Sequence, residues 1–364
     1  MTTKELLLAI LDVSHKNKYP DIHINTGKKA YTRNTSWEIT RIEEIEFQWK
    51  IEQNPVLTKE IVIDFIKIIA GEELKNKFLA ELELDTSYDF EGRDRYRVNC
   101  YADTNGFSIA LRIIPKKIPT LEELGLWEQI KWMCGRSKGL ILITWPTGSG
   151  KSTNMAAMLE YINENFQKHI ITVEDPVEFS FEEKKCLINQ RELWNSTKSF
   201  EKAMKALLRE DPDVIVIWEM RDPETIKTAI TLAETGHLVF STLHTNDTVQ
   251  TVDRIVDVFP SGQQEQIRMQ LAMSLIWVVS QRLLPRSDKE WRIPARELLI
   301  NNDPVRNLII NWKTHQLYSV IEISGKEGMI LMDKYLLALY KKWVISKETL
   351  LSFARDKEIL DLAS

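Results

Sequence analysis

A lysine and a hydroxyl stand side by side at Lys151 and Ser152, behind a run of small residues, in the stretch GLILITWPTGSGKST (139–153). A pair of this kind at the end of a glycine-rich turn is suited to binding phosphate. The glycines let backbone N–H groups converge on phosphate oxygens, the ammonium reaches the β- and γ-phosphates, and the hydroxyl takes one coordination position on Mg2+. Thr147, Gly148, Ser149, Gly150, Lys151, Ser152 and Thr153 are therefore the expected nucleotide cradle, with Ser152 turned toward Mg2+. One position does not fit: Trp145 occupies the place of the first glycine in the pattern G-x-x-x-x-G-K-[ST].

Acids and imidazoles that could complete a hydrolytic site come next in order. In LLREDPDVIVIWEMRD the apolar run Val214 to Ile217 would deliver Glu219 to the carboxyl end of a sheet, where a carboxylate can orient and polarise an attacking water. The alternative is a solvated strand end, and Asp213, at the start of the run, suits a structural role. In ITVEDPVEFSF, Glu174, Asp175 and Glu178 crowd a strand terminus that Pro176 closes. Carboxylates so close repel unless a cation lies among them, so they fit either a Mg2+–water network or a solvated acidic turn. His237 and His244 bracket HLVFSTLHT; a separation of seven on a strand puts them on opposite faces, which argues against a shared metal. Each histidine could equally be structural.

The elements that must position these groups are legible as alternation. GLILIT, HIITVED, DVIVI and HLVFSTLHT are short β-branched runs separated by helical patterns such as STNMAAMLEYINENF and PETIKTAITLAETG. Strand and helix in turn specify a mostly parallel sheet with helices on both faces. The tail from about Pro285 reads as helix-rich. Ahead of this core, YRVNCYAD and FSIALRIIP alternate as half-buried strands, and TKEIVIDFIKIIAG repeats at helical spacing up to Gly71. The linker PKKIPTLEEL carries two prolines, and Thr120 and Glu123 have the spacing of a capping box that would open a helix. The expected organisation is thus an α/β chain: a small α+β domain over 1–115, then a nucleotide-binding core with a helical C-terminal segment over 116–364.

Bulk properties narrow the function classes. The 364 residues are 43% hydrophobic and 28% charged, a globular composition. A net charge of −5 gives no electrostatic footprint for a general nucleic-acid binder. Cys100, Cys134 and Cys186 form no C-x-x-C pair, against a structural zinc site and a disulfide framework. MTTKELLLAILDVSHKNK reads as an amphipathic helix, not a signal peptide, and the longest apolar runs fall far short of a membrane span.

Read together, LEELGL, PTGSGKST, ITVEDPVEF, CLINQRE, ALLREDPDVIVI, EMRD, AETGHLVFSTLHTND, DRIVDVFP, VVSQRLLP and KEGM resemble, in order and along almost the whole chain, the PilT twitching-motility proteins, the retraction ATPases of type IV pili. The resemblance implies a PAS-like N-terminal domain, a RecA-like core, and ATP with Mg2+. VEDPVE corresponds to the family's Asp box, EMRD to the end of its atypical Walker B with Glu219 as catalytic carboxylate, and GHLVFSTLHT to its His box, which draws His237 and His244 into the site. RYRVN and LRIIP resemble the segments whose arginines reach a neighbouring subunit's nucleotide, a role that falls on Arg97 and Arg112. The implied assembly is a hexameric ring at the inner face of the cytoplasmic membrane, cytoplasmic and without a membrane span. Its implied partners are an inner-membrane platform protein and a paralogous pilus ATPase. Extension and secretion ATPases of the superfamily carry a four-cysteine zinc element, which this sequence lacks. VRNLIINWKTHQ resembles the family's A-I-R-N-L-I-R-E motif through Arg306, Asn307 and Leu308 and departs from it at Ile310 and Asn311, while FQWKIEQNPVLTKE matches the family poorly.

Trp145 is one of a set. At Trp218, Trp277, Trp37, Trp194, Trp312 and Trp343 the family likewise expects glycine, and Trp291 is a weaker instance. The chain has 11 Trp and 13 Gly, where average usage would give about 25 glycines. A reassigned UGA codon, read as glycine in the source but written as tryptophan, accounts for the whole set. The rival is a degenerate, non-hydrolysing paralogue, against which stand the retained Lys151, Ser152, Glu174, Asp175, Glu219, His237 and His244.

Overall fold

The computed structural model describes residues 1–33, 38–47, 50–115, 117–126, 128–144, 150–193, 196–220, 222–288, 292–356 and 359. Trp145, Pro146, Thr147, Gly148 and Ser149 lie outside them, as do Trp37, Trp194 and Trp291. The chain divides into two compact units. One is Met1–Lys117 together with Glu174–Phe181 and Arg191–Ser199; the other is Ile118–Val173, Glu182–Gln190 and Phe200–Ser364. The division at Lys117 lies two residues beyond the end expected for the N-terminal domain, and the two later segments group with it.

The first unit opens with α1 (Thr3–Asn17), started by a capping box between Thr2 and Glu5. Strands β1 (Asp21–Asn25), β2 (Tyr31–Arg33) and β3 (Ile39–Arg41) come after it, then a separate hairpin of β4 (Glu44–Phe47) and β5 (Lys50–Gln53). Next is α2 (Lys59–Glu81), which kinks at Gly71 (φ 82°, ψ 174°), where the sequence pattern stops, but resumes and runs on to Glu81. Strands β6 (Glu83–Phe90), β7 (Asp94–Asp103) and β8 (Gly106–Ile114) complete an antiparallel sheet of order β3-β2-β1-β8-β7-β6. Alternation decides its faces: Tyr96, Val98 and Cys100 of β7 are buried in a core with Leu7, Ile10, Phe65 and Phe78, while Arg97 points outward.

In the second unit the Thr120–Glu123 box forms both of its hydrogen bonds. It closes a turn ending at Gly125 (φ 61°) and not a helix; α3 (Glu128–Cys134) starts only afterwards. The phosphate-loop strand is β9 (Gly139–Thr144) and the helix leaving the loop is α4 (Lys151–Asn165). Then come β10 (His169–Glu174), β11 (Leu187–Glu192), α5 (Phe200–Leu207), β12 (Val214–Ile217), α6 (Pro223–Glu234) and β13 (Leu238–Leu243). Helices α7 (Thr248–Asp257) and α8 (Ser261–Ser274) lead to β14 (Leu275–Pro285) and β15 (Arg292–Ile300). The tail holds α9 (Asp303–Ile310), α10 (Leu317–Ile323), α11 (Met332–Lys341) and α12 (Lys347–Phe353). The sheet order is β11-β10-β12-β13-β9-β14-β15, with β10, β12, β13, β9 and β14 parallel and β15 antiparallel to β14. Every residue of β9, β12 and β13 is buried, the pattern of central strands covered on both faces. Leu336, Leu339, Ile345 and Leu350 of the tail form a smaller core with Leu284 and Ala295.

The tryptophans fall in revealing places. Trp312 (φ 59°) lies just past α9 and Trp343 (φ 60°) just past α11, both in left-handed backbone. In each case the helix closes with the paired bonds of a Schellman motif: Trp312 N–H to Ile309 O with Lys313 N–H to Leu308 O, and Trp343 N–H to Tyr340 O with Val344 N–H to Leu339 O. Tryptophan thus stands at the C′ position, where glycine is the usual residue. Trp277 is buried in β14 beside a register irregularity, and its indole N–H has no hydrogen-bond partner among the described residues. Trp218 is half-buried and outside the left-handed region.

Candidate active site

In a parallel sheet the loops at the carboxyl ends of the strands form the ligand crevice. Gly150, the last loop glycine, has φ 84°, a conformation that favours glycine, and a Cβ there would lie 3.0 Å from Gln281 Nε2, close enough that the amide would have to shift. It caps α4, a 15-residue helix with no acidic residue in its first turn and no capping side chain at Gly150. The positive end of a helix dipole, with a lysine at the first position, fits a polyphosphate. Ser152 and Thr153 occupy the same first turn; Thr147, Gly148 and Ser149 lie outside the described residues.

Glu219 is positioned by its neighbours in the chain. Trp218 N–H donates to Val173 O at 3.1 Å and Met220 N–H to Thr242 O at 3.1 Å, which ties the main chain on either side of Glu219 to β10 and β13. His244, just past β13, places Nε2 3.1 Å from Glu219 Oε1. Lys151 Nζ lies 3.2 Å from both ring nitrogens of His244. The phosphate-loop lysine, an imidazole and a partly buried carboxylate thus converge at one end of the sheet. The carboxylate can take a proton from water, and the imidazole can orient it. Among the described residues there is no group of three His, Cys, Asp or Glu able to hold a metal. The donor set instead suits Mg2+ bound through Ser152 and nucleotide phosphates, since this ion keeps much of its coordination for water and phosphate.

His237 does not join them. It sits at the opposite end of β13, its ring Nδ1 3.0 Å from Leu232 O, a structural contact. Six strand residues separate it from His244, about 20 Å at the usual rise. Asp213 accepts the His169 N–H at 2.8 Å, the structural role that its position suggests. Glu174, Asp175 and Glu178 lie in the first unit's segment: Glu174 is buried, Glu178 N–H points to its Oε2 at 3.4 Å, and Asp175 is exposed.

Arg97 and Arg112 are directly opposed on β7 and β8, and the row continues across the sheet as Ser87, Arg97, Arg112, Asp21 and Arg33. Like charges facing one another across strands are unfavourable. The buried Asp21 relieves part of this: its carboxylate accepts from Arg112 Nε at 2.7 Å and lies 3.4 Å from Arg33 Nε. The bond to Asp21 pushes the Arg112 guanidinium above its ordinary pKa. Arg97 is exposed on this face, and so is most of the Arg112 side chain beside it.

Sequence reasoning missed a buried polar group behind the loop: Asn154, Gln281 and Arg296. Polar residues at inward positions of the apolar strands VVSQRLLP and RIPARELLI were the available signal.

Residues 2–317 match the family described as Type II/IV secretion system protein. The chain is 41% identical over 348 residues to the type IV pilus retractation ATPase PilT of Pseudomonas aeruginosa, with 96% of each chain covered. It is 44% identical over 304 residues to the twitching motility protein of Neisseria gonorrhoeae, covering 84% of this chain and 81% of that one. A crystal structure of the pilus retraction motor PilT with bound ADP matches with a TM-score of 0.85 and 39% identity, over 98% of this chain and 99% of that one. A loop helix built for polyphosphate, a carboxylate beside it, and relatives aligned from end to end all place this chain in the type II/IV secretion family, as one of its P-loop ATPases.

Proposed function

We propose that the protein is a motor that hydrolyses ATP to retract a type IV pilus. The observation that carries this reading is the convergence of Lys151, His244 and Glu219 at the loop end of the sheet, in a chain aligned throughout with retraction ATPases. ATP would lie along the first turn of α4, with Lys151 leaving His244 to pair with the β- and γ-phosphates. Glu219 accepts a proton from the attacking water as its oxygen bonds to the γ-phosphorus and the bond to the bridging oxygen breaks, releasing ADP. His244 keeps the carboxylate turned toward that water. Ser152 would hold Mg2+, which when bound would supply charge neutralisation.

The working form in this reading is a homo-hexamer. A subunit's Arg97 and Arg112 would meet the nucleotide of its neighbour, where a guanidinium stabilises charge spreading over the transferred phosphoryl group. Turnover then moves subunits against each other and turns an inner-membrane platform protein, with the ring on the cytoplasmic face of that membrane. No helix among the described residues is long and apolar enough to cross a membrane. A second reading, a non-hydrolysing regulatory paralogue, is favoured by one observation, the tryptophans at sequence positions 145, within the phosphate-loop motif, and 218, next to Glu219.

ATP hydrolysis by the purified ring tests both. The chain as written is compared with one carrying Trp145→Gly and Trp218→Gly, beside a Lys151→Ala control. Turnover in either chain that Lys151→Ala abolishes supports the motor; ADP binding without turnover in both supports the regulatory reading.

A further inference from the structure

Arg296 is among the largest fully buried side chains of the protein, and its surroundings are unusual for a guanidinium. It donates Nε–H to Gln281 Oε1 at 2.7 Å and its two terminal nitrogens to main-chain carbonyls, Gly125 O at 2.9 Å and Leu124 O at 2.6 Å; Tyr335 also bonds to it. Gln281 Oε1 takes a second bond, from Asn154 Nδ2 at 2.7 Å, and Asn154 stands in the first turn of α4, its own N–H bonded to Gly150 O. The other atom of the amide, Gln281 Nε2, is the group against which a Cβ at Gly150 would press. A continuous line of short hydrogen bonds therefore runs from the exit of the phosphate loop, through two buried side chains on neighbouring strands, to the turn by which the chain enters this unit. Burying a positive charge is costly, and a planar fork reaching three oxygens at fixed angles is what Arg provides and Lys does not.

We propose that Gln281 and Arg296 form a strut that couples Gly150 and the first turn of α4 to the Leu121–Leu126 turn, making both of them positioning residues for the ATPase reaction. This deepens the proposed function and rests on it only for the nucleotide. Because Gln281 fills the space beside Gly150, a shift of Gly150 on binding phosphate moves the amide. Arg296 passes that movement to Leu124 and Gly125 through rigid bonds, not through a flexible tether.

Hydrogen exchange tests the strut. The amides of Leu124, Gly125 and Leu126 are bonded within the turn, to Thr120, Glu122 and Leu121. In the nucleotide-free protein, Gln281→Leu, whose side chain is not one of the turn's own partners, should speed their exchange several-fold. Arg296→Lys should do the same, and the double variant should add little to either. In the intact protein ADP should slow these amides, and in Arg296→Lys they should no longer respond, with ADP affinity little changed and kcat reduced more than KM. Unchanged exchange at 124–126 in folded Gln281→Leu overturns the proposal, as does an equal response to ADP in Arg296→Lys. Calorimetric titration of ADP into the same samples reports separately on the proposed function, and the nucleotide-free comparison decides the strut whatever that titration gives. Should Gln281→Leu fold poorly, Gln281→Glu, which retains an acceptor for Arg296 and Asn154, should keep the intact exchange rates at 124–126.

The tryptophans carry a second, independent inference. Two helices end in Schellman motifs with Trp312 and Trp343 at the left-handed position, and the buried Trp277 indole N–H has no partner among the described residues, beside a strand irregularity. These are separate structural reasons for glycine, at positions that the sequence by itself singles out. We infer that the native protein carries glycine at 277, 312 and 343, encoded by a reassigned UGA. Peptide mass spectrometry of protein from its native source should find glycine at all three, and tryptophan at any of them overturns the inference.

Discussion

Replacing Trp343 separates backbone strain from side-chain contact. The residue is 79% exposed, and its ring lies tilted 6.5 Å from Tyr340, so the indole contributes little packing. Its φ of 60° places a Cβ in left-handed backbone, a conformation costing about 1–2 kcal/mol for an L-residue. Trp343→Gly and Trp343→Ala lose the same indole contacts, and only Gly also removes the strain. Set against glycine's extra unfolded-state freedom of about 0.5–1 kcal/mol, the glycine variant should exceed the alanine variant by about 0.5–1 kcal/mol. At an exposed helix interior the order reverses, so Asp64→Ala in α2 should exceed Asp64→Gly by about 1 kcal/mol. The assay is thermal unfolding of the four variants. The expected gap at 343 is about 2 °C in favour of glycine, with the opposite sign at 64. An alanine variant at 343 as stable as the glycine variant would falsify the strain account of that turn. At 312 the gain from glycine over the parent should be smaller, because Arg268 stacks over the Trp312 ring at 3.9 Å and that contact is lost.

The geometry leads to three further outcomes. Glu219→Gln should keep ADP affinity while lowering kcat by about 100-fold or more, the loss expected when a positioned general base is removed; equal loss of ADP binding would show a structural role instead. Asp21→Asn should leave the fold intact and raise the salt sensitivity of ring turnover, because Arg33 and Arg112 lose the carboxylate that they share; a salt profile matching the parent counts against the charged row. Burial raises the pKa of Glu297, even with Thr248 and Met332 donating to it. The folded chain therefore holds a proton that the unfolded chain has released, and its stability falls as pH rises from the ordinary carboxylate range toward the raised value. This group contributes a slope of at most about 1.4 kcal/mol per pH unit in that window. Chemical denaturation across it should show the slope in the parent and lose it in Glu297→Gln.

How much was legible depended on whether a signal was local. The central strands announced themselves as β-branched runs, and β9, β12 and β13 are buried throughout as such runs require. Glu219 could be placed because it lies two residues past the end of β12, and the strand's end determines where those residues emerge. His237 illustrates the limit: the resemblance drew both histidines of its box into the site, yet a six-residue strand carries them to opposite ends of the sheet. Thr120 and Glu123 made their reciprocal bonds and still opened no helix, since Gly125 turns the chain aside before a second turn can form. Gln281 and Arg296 were out of reach because their meaning lies in partners 127 and 171 residues away.

The division of the chain has a practical consequence for anyone wishing to isolate its parts. The polypeptide crosses between the two units after Lys117, Val173, Phe181, Gln190 and Ser199, so no single cut releases either of them. A fragment ending at Lys117 would lack Glu192, whose buried carboxylate accepts from Ser87 at 2.8 Å and from Arg95 at 2.8 Å, and it would leave that guanidinium without its anion. A fragment beginning at Ile118 would carry Glu174–Phe181 and Arg191–Ser199 as loose segments, stripped of the body they pack with. Severing the linker and separating the products should therefore yield two damaged pieces, whereas a nick there, with both pieces retained, should leave an assembled whole.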